Sequence, residues 1–271
     1  MTTTLKAVSS SRPPRLSDSD AKPPRGLARG DALKDALELE LARLAELQSV
    51  FYADGRRALL VVLQGRDASG KDGTIRTVFG ACNPQGCQVT SFKAPSALEL
   101  SHDFLWRVHT AVPPKGMIGI FNRSHYEDVL VVRVRELAPR AVWIKRYDQI
   151  NAFERQLSES GAVILKFCLH ISKDEQRQQF LERLTDPTKN WKFRPGDLDD
   201  RARWNDYTAA YRDALRKCST PWAPWYVVPS DSKTVRNYLV TRVINDTLLG
   251  LDLQYPRASP DVLALKTKLG G

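Results

Sequence analysis

Residues Gly65-Arg66-Asp67-Ala68-Ser69-Gly70-Lys71-Asp72 place two glycines, a lysine and two acids within a single short span. Glycines let backbone N–H groups close around phosphate oxygens with no Cβ in the way. A lysine just after the second glycine then reaches the outer phosphates as a point charge. The span therefore reads as a phosphate-binding loop whose contacts are Gly65, Arg66, Ala68, Ser69, Gly70, Asp72 and Gly73, with Lys71 the catalytic cation. The plainer alternative is a glycine-rich turn carrying a solvated lysine. Asp72 stands where a Ser or Thr hydroxyl normally touches magnesium. A carboxylate there is tolerated beside phosphate only if a metal or arginines neutralise the cluster. Asp67, inside the loop, raises the same requirement, so both acids point to magnesium, which prefers carboxylate, water and phosphate oxygens. For Asp72 a first-turn acid favoured by the helix dipole is the competing account.

A second set of chemically capable residues follows Gly116-Met-Ile-Gly-Ile-Phe121: Asn122-Arg-Ser-His-Tyr-Glu-Asp128, then Val129-Leu-Val-Val-Arg133. Arg123 can clamp a phosphate bidentately, and Arg133 and Arg135 add charge nearby. Glu127 and Asp128, with Asp67, are the candidate metal holders. Asn122 occupies a strand end where many phosphate-loop enzymes carry a metal-holding Asp, and is read as a phosphate or nucleotide contact. Asp67, Lys71, Arg123 and Glu127 form the expected catalytic set, and His125 is read as structural.

These residues act together only if the chain folds to bring the two loops to one crevice. The run Ala58–Gln64 is apolar and rich in β-branched residues, and Gly73-Thr-Ile-Arg-Thr-Val-Phe79 is compatible with a helix: strand, loop and helix N-terminus in the order a phosphate loop needs. Further strands are expected over 89–92, 116–121, 163–169 and 225–229. Helices are expected from Asp31 onward, over 97–110, 144–159, 174–184 and 198–218, and over 232–249 with Gly250 as cap. Such alternation argues an α/β fold: a parallel sheet with helices on both faces. Ligands then sit beyond the carboxyl ends of the strands, which puts Arg123 opposite Lys71. Trp204, Tyr207, Tyr211 and Leu215 share one helical stripe and are read as core.

The chain of 271 residues is long enough for one large domain with extensions. Its formal charge of +10 implies a polyanionic partner. Residues 1–30, with six basic residues and two acids, read as a flexible basic arm, ordered in part against the body or a neighbouring subunit. Removing residues 1–28 is expected to leave catalysis intact. Residues 31–255 read as the phosphotransferase domain and 256–271 as a C-terminal tail. Four cysteines and four histidines show no metal-ligand spacing, so free thiols in a reducing compartment are the simplest account. No apolar run approaches membrane-spanning length and no signal-peptide core is present, so a cytoplasmic location and no membrane partner are expected.

Three motifs, Gly65-x-Asp67-x-x-Gly70-Lys71-Asp72, Phe121-Asn-Arg-Ser-His-Tyr-Glu-Asp128 and Asp186-Pro-x-Lys-Asn-Trp-Lys-Phe193, occur in that order. Together with Ala223-Pro-Trp-Tyr-Val-Val-Pro229 they make residues 30–255 resemble the polyphosphate kinases of family 2. The resemblance implies a P-loop kinase fold and a helical lid over about 183–200. Within the lid, Arg183, Lys189, Lys192 and Arg194 are the candidate phosphate contacts. It implies transfer of the terminal phosphate between inorganic polyphosphate and nucleotides, with magnesium (manganese able to substitute). It also implies assembly into dimers or tetramers of like chains. Asn122 with Glu127-Asp128 is similar to the subgroup that phosphorylates both AMP and ADP, with ATP as product.

On this reading Arg66, Arg76, Lys93, Lys145 and Arg146 are candidates to line the polymer's path, each with a solvated face as the alternative. The acceptor phosphate is already ionised near neutral pH, so no strong general base is required. An ATP-dependent nucleotide or small-molecule kinase explains the loop but not the excess of arginine and lysine around it. A nucleotide-switched nucleic-acid binder would use the basic face on backbone phosphates, but no basic platform interleaved with aromatics is present, so nucleic acid is not the expected partner.

Overall fold

The strand that leads into the phosphate loop, β1 (Ala58–Gln64), is buried at every position, as a continuous apolar run between two helical layers must be. The computed structural model describes residues 5–9, 11–12 and 14–269. Its elements run in the order α1 (Asp31–Asp54), β1, α2 (Lys71–Val78), β2 (Cys87–Ser91), α3 (Ala97–Leu100), α4 (Trp106–His109) and β3 (Ile118–Asn122). They continue through α5 (Val131–Val134), α6 (Arg140–Glu159), β4 (Ala162–His170), α7 (Lys173–Thr185), α8 (Gly196–Ala202) and α9 (Trp204–Cys218). The last are β5 (Trp225–Pro229), α10 (Lys233–Leu249) and α11 (Pro260–Lys268).

The strands form one sheet in the order β2-β3-β1-β4-β5, and every pair is parallel. β1 is central: Leu63 stands opposite Asn122 on one side and Phe167 on the other. The chain leaves β1 toward β2 and β3 and later returns to β4 on the opposite flank. The crevice at the carboxyl end of β1 is thus the switch point at which an open α/β sheet takes its ligand. Helices cover both faces. On one, Leu37, Leu44 and Phe51 of α1 pack with Leu239, Val243 and Ile244 of α10 and the β1 residues Leu59, Val61 and Leu63. On the other, Tyr147, Ile150 and Phe153 of α6 and Tyr207, Tyr211 and Leu215 of α9 pack with Leu60 and Val62. The aromatic stripe of α9 is core, as its spacing predicts.

Two expected helices are each divided in two. Over 97–110, Ser96 and Glu99 close a capping box around α3, and the Asp103 carboxylate accepts from the Leu105 N–H, starting a new turn. Over 198–218 the break falls at Arg203, whose guanidinium donates to the Val134 carbonyl and whose backbone leaves the helical region. The described part of the N-terminal arm is laid along the body. Val8 N–H donates to the Trp225 carbonyl, His170 Nε2 meets the Ser17 carbonyl at 2.8 Å, and Leu16 and Ala21 are buried. Arm residues 1–4, 10 and 13 lie outside the described residues. Among the described residues no helix is long and apolar enough to cross a membrane.

Candidate active site

β1 delivers the chain into the loop at Gly65, where a Cβ would strike the Ser69 hydroxyl and lie 2.6 Å from the Leu169 carbonyl oxygen. Two positions of the loop take up left-handed backbone, Ala68 at φ 65° and Gly70 at φ 93°. The first is an uncommon conformation for a residue with a Cβ and marks a loop shaped by its function. Lys71 opens α2 and folds back over the loop, its ammonium donating to the carbonyls of Gly65 (2.7 Å) and Arg66 (3.2 Å). It is 8 % exposed. Burial first, then repulsion from Arg123, brings its pKa down from 10.5 to about 8, against the pull of Asp67, Glu127 and Asp72.

The second loop meets the first across the crevice. Arg123, held at φ 63° just past β3, donates from Nη2 to Asp67 Oδ1 (2.6 Å) and from Nη1 to Glu127 Oε2 (3.2 Å). One guanidinium thus joins Asp67 of the phosphate loop to Glu127 of the second loop. Glu127, ahead of Asp67, holds Arg123 protonated well beyond its ordinary range. Burial pushes Asp67 upward, but Arg123, Lys71 and Arg183 outweigh it and its pKa falls. Asn122 Nδ2 donates to Asp72 Oδ1 at 2.8 Å, tying the strand end to the first turn of α2.

Beneath this loop lies a fully buried polar cluster. His125 Nε2 and Tyr126 Oη meet Glu154 Oε1 at 3.1 and 2.9 Å, while the Lys166 ammonium reaches Glu154 Oε2 (2.5 Å), Tyr126 Oη (2.7 Å) and the Cys218 carbonyl (2.7 Å). Strand β4 and helix α6 thereby pin the turn His125–Asp128 that presents Glu127. His125 is structural, as expected. Glu154 and Lys166 belong to no motif, and Tyr126 enters the sequence reading only as part of Phe121–Asp128.

Other candidates lie elsewhere. Asp128 pairs with Arg146 at 2.9 Å, away from the Asp67–Arg123–Glu127 bridge, and burial raises its pKa despite Arg146. Among the described residues no group of three or more His, Cys, Asp or Glu side chains is gathered to hold a metal ion. The expected trio of Asp67, Glu127 and Asp128 is therefore not assembled by protein alone. Asp67 and Glu127 do meet on Arg123, and two carboxylates are enough for a divalent cation that completes its shell with water and substrate phosphates. Arg133 is engaged by Asp213 (2.7 Å) and Tyr147 Oη (3.3 Å), and Arg135 by Asp200. Neither pairs with the bridge.

Arg66 departs from its expected place on the polymer's path. Its guanidinium is buried 3.9 Å over the Trp204 ring and donates to the Trp204 carbonyl (3.1 Å) and Thr208 Oγ1 (2.5 Å). It fastens the loop to the start of α9. In the lid, Arg183 lies 3.9 Å from Asp197 and acts electrostatically on Asp67. Lys189 is taken by Glu182 (2.6 Å) and Asp186 (2.8 Å), and Lys192 is exposed beside Trp191. Gln176 Nε2 donates to the Asp67 carbonyl and its Oε1 accepts from Arg201, linking α7 and α8 to the loop. The sequence missed Gln176, Asp197 and Arg236, the last of which packs under Gly70.

A lysine at a helix N-terminus and, across the crevice, an arginine flanked by two carboxylates can bind phosphates and neutralise charge as a phosphoryl group moves. A model of the family described as Polyphosphate kinase 2 (PPK2) matches residues 28–255. The chain is 56 % identical over 226 residues to the AMP/ADP-polyphosphate phosphotransferase of Meiothermus ruber, covering 83 % of this chain and 85 % of that one. It is 47 % identical over 238 residues to the ADP-polyphosphate phosphotransferase of Rhodopseudomonas palustris, covering 83 % and 82 %. The crystal structure of polyphosphate kinase 2 from Arthrobacter aurescens TC1 superposes with a TM-score of 0.87 at 46 % identity, covering 91 % of this chain and 89 % of that one.

Proposed function

The chain belongs to the polyphosphate kinase 2 family, and on that premise we propose that it transfers the terminal phosphate of inorganic polyphosphate to AMP and to ADP, reversibly. The observation that carries this reading is the bridge Asp67–Arg123–Glu127 set against the loop that holds Lys71. Phosphoryl transfer passes through a loose transition state, so positioning and charge neutralisation supply most of the rate. The loop N–H groups and Lys71 hold the donor's terminal phosphates. Arg123 is preorganised by its two acids to face the transferring group, and Arg183 acts electrostatically on Asp67 from the lid. The nucleophile is a phosphate oxygen of the acceptor, ionised near pH 7, so Asp67 and Glu127 act first as holders of metal and water and only second as proton acceptors.

Kinases of this kind work with a divalent metal. In our reading it is magnesium, with manganese able to replace it, held by Asp67 and Glu127 together with substrate phosphates. When bound, such an ion neutralises charge on the transferring phosphoryl group. Both bonds in the exchange are phosphoanhydrides, so the reaction is nearly balanced and runs either way with concentration. The cysteines Cys82, Cys87, Cys168 and Cys218 are free thiols, which supports a reducing, cytoplasmic setting.

The test is nucleotide formation from AMP and from ADP with long-chain polyphosphate and magnesium, and no ATP added. The expected result is ADP and ATP from AMP, and ATP from ADP. Product from ADP alone would remove the AMP activity and keep the donor. Turnover only with ATP as donor would overturn the polyphosphate reading.

A further inference from the structure

Arg236, on the first turns of α10, is 4 % exposed and lies directly beneath the phosphate loop. A Cβ added to Gly70 would collide with its guanidinium, and one added to Gly73 would stand 3.3 Å from Nη2. Its hydrogen bonds are long and few: Nε to Asn237 Oδ1 at 3.2 Å and Nη1 to the Ser69 carbonyl at 3.4 Å. A guanidinium has five N–H donors, so most of its capacity is unused. Among the described residues no Asp or Glu forms an ion pair with it, whereas Arg133, Arg135 and Arg146 each have one and Arg123 has two. Burial alone brings its pKa down to about 10, with no acid offsetting the loss of water.

An unpaired buried charge is costly, and natural folds rarely keep one without a partner. The Ser69 carbonyl turns to the guanidinium, so the Gly70 N–H of the same trans peptide points away from it, while the Ser69 N–H donates to the Arg66 carbonyl at 3.1 Å. We propose that Arg236 is a positioning residue for phosphate binding: it sets the Ser69–Gly70 peptide from behind, and its charge is matched when the loop takes up polyphosphate. The inference rests on the reading of Gly65–Asp72 as the polyphosphate site. It also accounts for Gly70, which must be glycine for the left-handed turn and for the close approach of the guanidinium.

The test compares Arg236→Met and Arg236→Lys with the wild-type chain. Tripolyphosphate binding is followed by the rise it produces in melting temperature, and turnover by KM and kcat for polyphosphate with AMP. Arg236→Met is expected to melt at or above the wild-type temperature without ligand, because the buried charge is gone. Its affinity for tripolyphosphate and its KM for polyphosphate are expected to weaken about tenfold, with kcat within about threefold. Arg236→Lys, which keeps a cation, is expected to recover most of that affinity. An Arg236→Met chain that melts lower and binds as tightly as wild type would show a merely structural role and overturn the proposal. Should Arg236→Met not fold, Arg236→Lys decides: affinity within about threefold of wild type upholds the role of charge, and a tenfold loss refutes it. Wild type that binds tripolyphosphate but makes no nucleotide with long-chain polyphosphate would sink the kinase reading, while leaving these binding comparisons to support or overturn the inference.

Discussion

Replacing Lys71 by methionine removes a buried cation whose pKa falls from 10.5 to about 8 on folding. That difference is worth about 3 kcal/mol of preference for the proton in the unfolded chain. Below pH 8 both states hold the proton and the folded state bears the full penalty. Between pH 8 and 10.5 the unfolded chain binds more protons, so wild-type stability rises with pH over this window. Lys71→Met lacks this contribution. It also leaves the Gly65 and Arg66 carbonyls without their donor, a loss of about 1–3 kcal/mol each that does not vary with pH. The clean quantity is therefore the change in the stability difference with pH, since every other titrating group cancels between the two proteins. Wild type should gain on the variant by about 2.5 kcal/mol between pH 7 and pH 10. Urea unfolding of both proteins at pH 7, 8, 9 and 10 reads it directly. Saturating tripolyphosphate, by restoring a negative neighbour to Lys71, should flatten the dependence. A stability difference that stays constant from pH 7 to 10 would refute the account of a desolvated loop lysine. In the same preparation turnover with polyphosphate should fall at least about a thousandfold, in line with loss of a phosphate-clamping cation.

Arg123→Gln should lower turnover about a thousandfold. It should also raise the Asp67 pKa, so the stability that the wild type draws from this depressed acid, present above pH 3.8 and lost as pH falls through the folded value, is missing; acid-unfolding curves of the two proteins read this. Glu154→Gln leaves the Lys166 charge buried without its partner and should cost about 3–5 kcal/mol in urea unfolding, whereas exchanging both for apolar residues of similar size should recover most of that loss.

The phosphate loop could be read from sequence because its chemistry is local: strand, glycines and lysine are contiguous, and the sheet has only one way to present them. Arg123 and Glu127 were legible for a related reason, since strand-end residues of a parallel sheet share one rim. Lys166 and Glu154 were not, because a lysine inside a strand and a glutamate on a helix acquire meaning only when β4 and α6 are packed together. Arg236 sits in a helix whose pattern reads simply as core, and its nearness to Gly70 comes from the crossover that lays α10 beside α2. Asp128 and Arg66 were read by proximity in sequence to functional neighbours. One side chain turns to Arg146 and the other to Trp204, directions set by rotamer and packing that spacing does not encode. The division of the 198–218 helix at Arg203 likewise depends on a tertiary hydrogen bond to Val134.

The central place of β1 in the strand order has a consequence for the order of events during synthesis. β1 pairs with β3 and then with β4, which begins about a hundred residues later at Ala162, and the loop it feeds is backed by a helix that ends only at Leu249. Pairings so distant in the chain carry a large loop-closure cost and form late. A nascent chain that has emerged as far as the lid thus displays the phosphate loop without its floor, and the apolar faces of β1 and β4 with only the α1 and α6 part of their cover. Such a chain has the exposed surface on which aggregation begins, and the polyanion that the finished enzyme binds has no formed cradle to enter until nearly the whole chain has left the ribosome.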